Sequence, residues 1–165
     1  MNLLEKIGEQ SIFLYELYFI YAFMAYKHNF SFLMVALIFG NIVLNMVMKA
    51  YVMKLGAAYN HTLPLFGSLC RPLDPECKGL TMMGYGTPSG HSQIVSFVAA
   101  FYYFYYRDQA TEMSKSYLAV LVAIALFVMH TRYTSRMHSL PQIVLGSLTG
   151  VGLAFVVAKV LRFFV

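Results

Sequence analysis

The sequence has no tryptophan and little charge: only 12% of its 165 residues are Asp, Glu, Lys or Arg, roughly half the share of a soluble globular domain. Set against 59% hydrophobic content, that scarcity argues against a water-soluble fold. Without Trp, any interfacial aromatic belt falls to the 14 Phe and 13 Tyr. The two cysteines, Cys70 and Cys77, are too few for a disulfide-rich scaffold. No histidine stands at metal-ligand spacing from them, so no zinc site, and no metal or cofactor of any kind, is expected. Runs of Lys and Arg are missing too. The formal net charge of +5 therefore reads as membrane-loop bias and not as a nucleic-acid-binding stripe. Nothing near the N-terminus reads as a secretory signal, because Met1 to Gln10 mixes Glu5, Lys6 and Glu9 and no small-residue cleavage site follows. One domain over residues 1–165 is expected.

What the chain does have is a series of charge-poor apolar runs: Ile12 to Tyr26, broken only by Glu16, then Phe30 to Met48, Ser92 to Tyr106, Ser116 to Met129 and Pro141 to Ala158. A hydrocarbon core needs about 20 helical residues, so the shorter runs must extend into their flanks. Barrel strands would alternate in polarity and these do not, which leaves helices. The expected fold is all-α: an integral-membrane helical bundle of about five transmembrane helices, with an active site at one membrane face. A long connection, from about Tyr51 to Pro88, holds four of the five prolines and both cysteines. Loops of that length are usually functional or disordered. Five spans put it on the same side as the Thr131 to Leu140 connection. The run Phe101 to Tyr106 reads as an interfacial belt, and Gly146, Gly150 and Gly152 as a small-residue packing face, either within the chain or between protomers of a homo-oligomer.

Four polar groupings interrupt this background. Asn41, Asn45 and Lys49 fall at i, i+4, i+8 and share one helix face, which in lipid should point inward. Arg71-Pro72 lies in the long loop. Pro88-Ser89-Gly90-His91 opens a helix: Ser suits an N-cap, Gly admits close backbone approach, and the unpaired N–H groups with the positive dipole end make either an anion site beside His91 or a plain cap. Arg132 and His138 precede the last span, and Gln142 follows one turn later. Arg suits phosphate oxygens bidentately and His serves as nucleophile or acid/base near neutrality. Gathered on one membrane side, these groups amount to a phosphate site. Asp74 and Glu76 sit beside Arg71 and Lys78 and read as solvated loop charges.

In this order the motifs resemble the phosphatidic acid phosphatase type 2 superfamily, integral-membrane lipid phosphate and diphosphate phosphatases. Its pattern runs Lys, then Arg-Pro, then Pro-Ser-Gly-His, then Ser-Arg, five residues, His, three residues, Asp. This chain carries Arg71-Pro72, Pro88-Ser89-Gly90-His91, and Arg132 with five residues before His138. The resemblance covers roughly residues 41–150, and within the family His91-Ser-Gln93 and His138-Ser-Leu-Pro-Gln142 are most similar to dolichyl diphosphatases. It implies that His138 attacks phosphorus to give a phosphohistidine, that His91 protonates the leaving oxygen and then activates water, and that Lys49, Arg71, Arg132, Ser89 and the Gly90 N–H hold the phosphate oxygens. Gln142, at the Asp position, would orient the His138 ring. Three positions depart from the pattern. Pro64 stands where the Lys is expected, so Lys49 or Lys54 must take that role; Thr131 replaces Ser; and Gln142 replaces Asp. A register through Ser135-Arg136 would place Gln142 at the nucleophile position, and is rejected.

The partners so implied are a lipid phosphate or diphosphate, with a polyprenyl diphosphate favoured, and the bilayer, with no nucleic acid. Phosphatidic acid or another lipid phosphate, group transfer to an alcohol, or a binding protein without turnover are the alternatives. A Cys70–Cys77 disulfide is open to this face if it is lumenal or extracellular. The loop charges lean slightly to an active site facing away from the cytosol, in the endoplasmic reticulum if the source is eukaryotic.

Overall fold

A computed structural model of the chain describes residues 29–63, 67–76, 85–107 and 115–163. They form four α-helices and one short hairpin: α1 (Asn29–Ala58), β1 (Thr62–Leu63), β2 (Gly67–Ser68), α2 (Gly90–Tyr106), α3 (Lys115–Thr134) and α4 (Leu140–Phe163). The strands pair antiparallel, Thr62 with Ser68 and Leu63 with Gly67. By length and composition, Leu33–Ala58 of α1, α3 and α4 are each long and apolar enough to cross a membrane. The first expected span, Ile12 to Tyr26, lies outside the described residues.

Helix α1 outruns its apolar stretch. The expected run stops at Met48 because hydropathy ends at a charge, yet Lys, Ala, Tyr, Met and Leu are all helix-compatible, and the helix continues through Lys49 and Lys54 to Ala58. It ends where Asn60 and His61 turn left-handed, at φ 49° and 58°. The long connection is therefore shorter than the sequence suggests.

Helix α2 is the axis of the bundle, packing most extensively on α4, then on α3 and α1. The α2–α4 contact depends on missing side chains. A Cβ on Gly146 would collide with the Ser89 carbonyl, and one on Gly150 with the Gln93 carbonyl. The small-residue face thus closes inside the chain, so Gly146 and Gly150 are not left for a protomer contact. Gly152 faces open space. Around this seam Met34, Ile38, Ile94, Phe97, Phe101, Leu121, Val128 and Ala154 form the apolar core. Phe101, expected in an interfacial belt, is fully buried and stacks on Phe97 and Tyr105 at 5.6 and 5.4 Å. The belt reading fits only the exposed part of its run, such as Tyr103.

Between α1 and α2 the interface is polar. Asn45 Nδ2 donates to Gln93 Oε1 at 2.7 Å, and Gln93 Nε2 donates to Asn41 Oδ1 at 2.5 Å, all three side chains buried. This amide chain sets the rotation of α1, and therefore the direction in which Lys49, one turn beyond Asn45, projects.

Candidate active site

Three segments meet at one end of the bundle. Residues 67–76 and 85–89 come from the long connection, and Ser135 to Ser139 joins α3 to α4. Ser89 caps α2, its Oγ accepting from the Ser92 N–H at 3.5 Å and from the Ser92 hydroxyl at 3.0 Å. The Thr87–Pro88 bond that precedes it is cis. The Ser89 N–H donates to the Gln142 carbonyl at 3.1 Å, which ties the start of α2 to the start of α4.

Arg132 is 3% exposed on the last turn of α3, and its carbonyl accepts the His138 N–H at 3.2 Å. The connection thereby folds back on itself, with both expected residues at one place. Arg136, of the rejected Ser135-Arg136 register, takes a left-handed φ of 54° and is exposed. Thr131, where the family pattern has Ser, uses its hydroxyl on the Val128 carbonyl at 2.8 Å.

His138 is 4% exposed, and its Nδ1 lies 3.0 Å from the Gly86 carbonyl. A carbonyl only accepts, so Nδ1 carries the proton and Nε2 presents a lone pair. Burial, the positive charges of Lys49 and Arg71, and to a smaller degree His91 drive the imidazole pKa down to about 3, against the upward pull of the Gly86 bond. Lys49, Arg71 and His91 thus all act electrostatically on the ring. Lys49 is 8% exposed within the α1 interface, whereas Lys54 is exposed and lies over the Tyr51 ring at 6.0 Å. Of the two candidate lysines, Lys49 is the one facing the site. The His91 ring is half-buried at the first turn of α2, and Gly90 sits against Asn45, whose Oδ1 leaves no room for a Cβ.

Gln142 differs from expectation. It lies at 1% exposure but makes no hydrogen bond to His138. Its Oε1 accepts the Ser139 N–H at 3.1 Å, while Nε2 donates to the carbonyls of Cys70 at 2.8 Å and Ser68 at 3.2 Å. The ring is oriented instead by the Gly86 carbonyl, a main-chain group invisible to side-chain motif reading. Part of this was readable: Ser139-Leu-Pro-Gln142 is a capping box, in which the residue three positions after the cap reaches back to the cap N–H.

Arg71 is held by its neighbours' main chain. Leu69 N–H donates to the His61 carbonyl at 2.9 Å and Gly86 N–H to the Leu69 carbonyl at 3.0 Å, and Cys70 bridges Tyr85. Tyr85 hydroxyl meets His61 Nδ1 at 2.9 Å, anchoring this layer to the end of α1. Cys70 is disulfide-bonded, and Cys77, the chain's other cysteine, lies outside the described residues, as does Lys78. A hollow of about 450 Å³ opens beside the site between α3 and α4, lined by Met129, His130, Tyr133, Leu140, Ile143, Val144, Ser147 and Leu148.

Apolar helices long enough to cross a membrane, with buried cationic side chains and two histidines, define a helical membrane protein with a cluster of basic groups at one end of its bundle. Residues 29–164 match the PAP2 superfamily, and the chain belongs to that family. It is also 34% identical over 119 residues to the palmitoyl-protein thioesterase-dolichyl pyrophosphate phosphatase fusion 1 of Schizosaccharomyces pombe, a match that covers 69% of this chain and 17% of that protein. The chain thus spans well under two thirds of this relative's length. No solved structure matches it.

Proposed function

We propose that the chain is a membrane lipid phosphatase that hydrolyses a polyprenyl, dolichyl-like diphosphate or a related lipid phosphate through a phosphohistidine. The observation that carries this reading is the state of His138: neutral, its Nδ1 proton engaged by Gly86, its Nε2 lone pair available, and under the positive charges of Lys49 and Arg71. In the reaction, Nε2 attacks phosphorus and the P–N bond forms as the P–O bond to the leaving group breaks. His91 gives the leaving oxygen its proton. His91 then takes a proton from water, whose oxygen attacks phosphorus, and the P–N bond breaks to return neutral His138. Lys49, Arg71 and Arg132, with the Ser89 hydroxyl and the Gly90 N–H, hold the equatorial oxygens, supplying fixed charge where phosphoryl transfer needs it without a metal ion.

The diphosphate preference draws support from the fusion protein's dolichyl pyrophosphate phosphatase name. The apolar hollow beside Leu140 suits a hydrocarbon tail. In this reading the enzyme is multi-pass in the endoplasmic reticulum membrane, with its site on the lumenal face, where the Cys70 disulfide is chemically at home. The test is phosphate release from detergent micelles containing phosphatidic acid, prenyl phosphates or prenyl diphosphates, in chelator. Prenyl diphosphate hydrolysis, blocked by vanadate and lost in His138→Ala, is expected. Full activity in His138→Ala sinks the mechanism, and added alcohol acceptors reveal any transfer to a group other than water.

A further inference from the structure

At the position where the family pattern has an aspartate beside the nucleophile, this chain has a side chain that reaches elsewhere. Gln142 spends every polar atom on main chain. Its Oε1 accepts from Ser139 N–H, and its Nε2 donates to Ser68 and Cys70, the carbonyls on either side of Leu69. N–H groups only donate and carbonyls only accept, so the orientation of the amide is fixed. The clamped strand leads directly into Arg71, while Leu69 is gripped from the other side by the Gly86 N–H and the Thr87 hydroxyl. Gly86 in turn packs against the Gln142 amide so closely that a Cβ there would overlap it.

We propose that Gln142 is a positioning residue for Arg71, fastening the Arg71 strand to the start of α4, and that the Gly86 carbonyl has taken over the orienting of His138. A carboxylate at position 142 would face two carbonyl oxygens and repel them, so the amide is the group this strand demands. The choice of Gln over Asp is then a change of task and not a weakened catalytic pair. The proposal rests on the phosphatase reading for its functional meaning, though its test does not require turnover.

The informative substitution is Gln142→Glu. It keeps the length of the side chain and the acceptor that caps α4, and replaces the two donors with a carboxylate oxygen. Affinity for inorganic phosphate and for vanadate is measured on the full chain in micelles for wild type, Gln142→Glu, Arg71→Ala and the double variant. Gln142→Met, which also lacks the donors, repeats the measurement without adding a charge. The Gln142 variants are expected to bind about tenfold more weakly, the worth of a buried hydrogen bond or two, and the double variant no more weakly than Arg71→Ala alone. Nitrogen-15 spectra of the His138 ring are expected to show the Nδ1–H tautomer in wild type and Gln142→Glu alike. Additive losses, unchanged phosphate affinity, or a His138 ring that becomes protonated beside the introduced carboxylate overturn the proposal. Should wild type hydrolyse no lipid phosphate, the enzymatic reading falls, while the binding cycle and the ring spectra still decide the role of Gln142.

Discussion

With one ring nitrogen committed to Gly86, His138 has a single nitrogen left to accept, and burial, aided by the positive charges of Lys49 and Arg71, keeps that nitrogen unprotonated. Keeping it neutral has a cost that appears on acidification. The unfolded chain's histidine titrates near 6.5 while the folded one is held to about 3, so between these pH values the unfolded state binds the extra proton. Stability is unaffected above about pH 6.5 and falls as pH drops below it, by up to about 1.4 kcal/mol per unit from this group. Thermal unfolding in micelles is expected to show a melting temperature that drops from pH 7 to pH 4, with a shallower slope in His138→Asn. An equal slope in both proteins assigns the acid sensitivity to other groups. The lysines differ just as sharply. Lys49→Met is expected to lower phosphate release by at least a hundredfold through loss of a buried charge at the transferring group, and Lys54→Met to leave it within about twofold. Sequence placed Lys49 on the Asn41 stripe but left Lys54 open, because spacing gives a helix face without saying which neighbour that face meets. The Asn45–Gln93 bond supplies the missing fact.

At the scale of elements, the packing of α4 on α2 is set by where side chains are missing. Gly150 touches the Gln93 main chain and Gly152 touches nothing, two residues apart on one helix. Gly150→Ala must therefore push α4 away from α2, an overpacking cost of about 1–3 kcal/mol, while Gly152→Ala gains about 0.5–1 kcal/mol of helix propensity. Thermal unfolding of the two variants is expected to move in opposite directions, and a common direction contradicts the assigned faces. The glycine spacing was legible, as were α2, α3 and α4 to within a few residues, since uncharged apolar runs in lipid have little choice but to be helical. The extension of α1 past Lys49 was not, because a hydropathy reading stops at charge whereas the backbone stops only at Asn60 and His61. For the same reason motif order pointed to side chains such as His138 and Arg132, while the main chain packed around them was missed. The Gly86 carbonyl and the Ser68 to Cys70 strand have no signature, being defined by what folds against them.

At the scale of the whole molecule, the hollow between α3 and α4 lies next in sequence to the segment that carries Arg132 and His138. Helix α3 packs well on α2 but touches α4 only sparsely. The resulting gap begins at Tyr133 and Leu140, each within two residues of Arg132 or His138, and passes Ser147 on the way into the bilayer. On the lipid phosphatase reading, a substrate whose headgroup reaches His138 would have its first tail carbons beside Leu140, and the hollow is then expected to contribute binding in proportion to the length of tail it covers. Ser147→Phe fills it two turns below the headgroup. For a long-chain prenyl diphosphate, kcat/KM is then expected to fall about tenfold, the worth of roughly two buried CH₂ groups, while a short-chain diphosphate that ends above Ser147 keeps its rate. Equal losses on both substrates mean that the tail lies elsewhere and that the substitution has disturbed the headgroup site through α4. A loss confined to the long chain identifies this gap as the route by which the bilayer presents its lipid to His138.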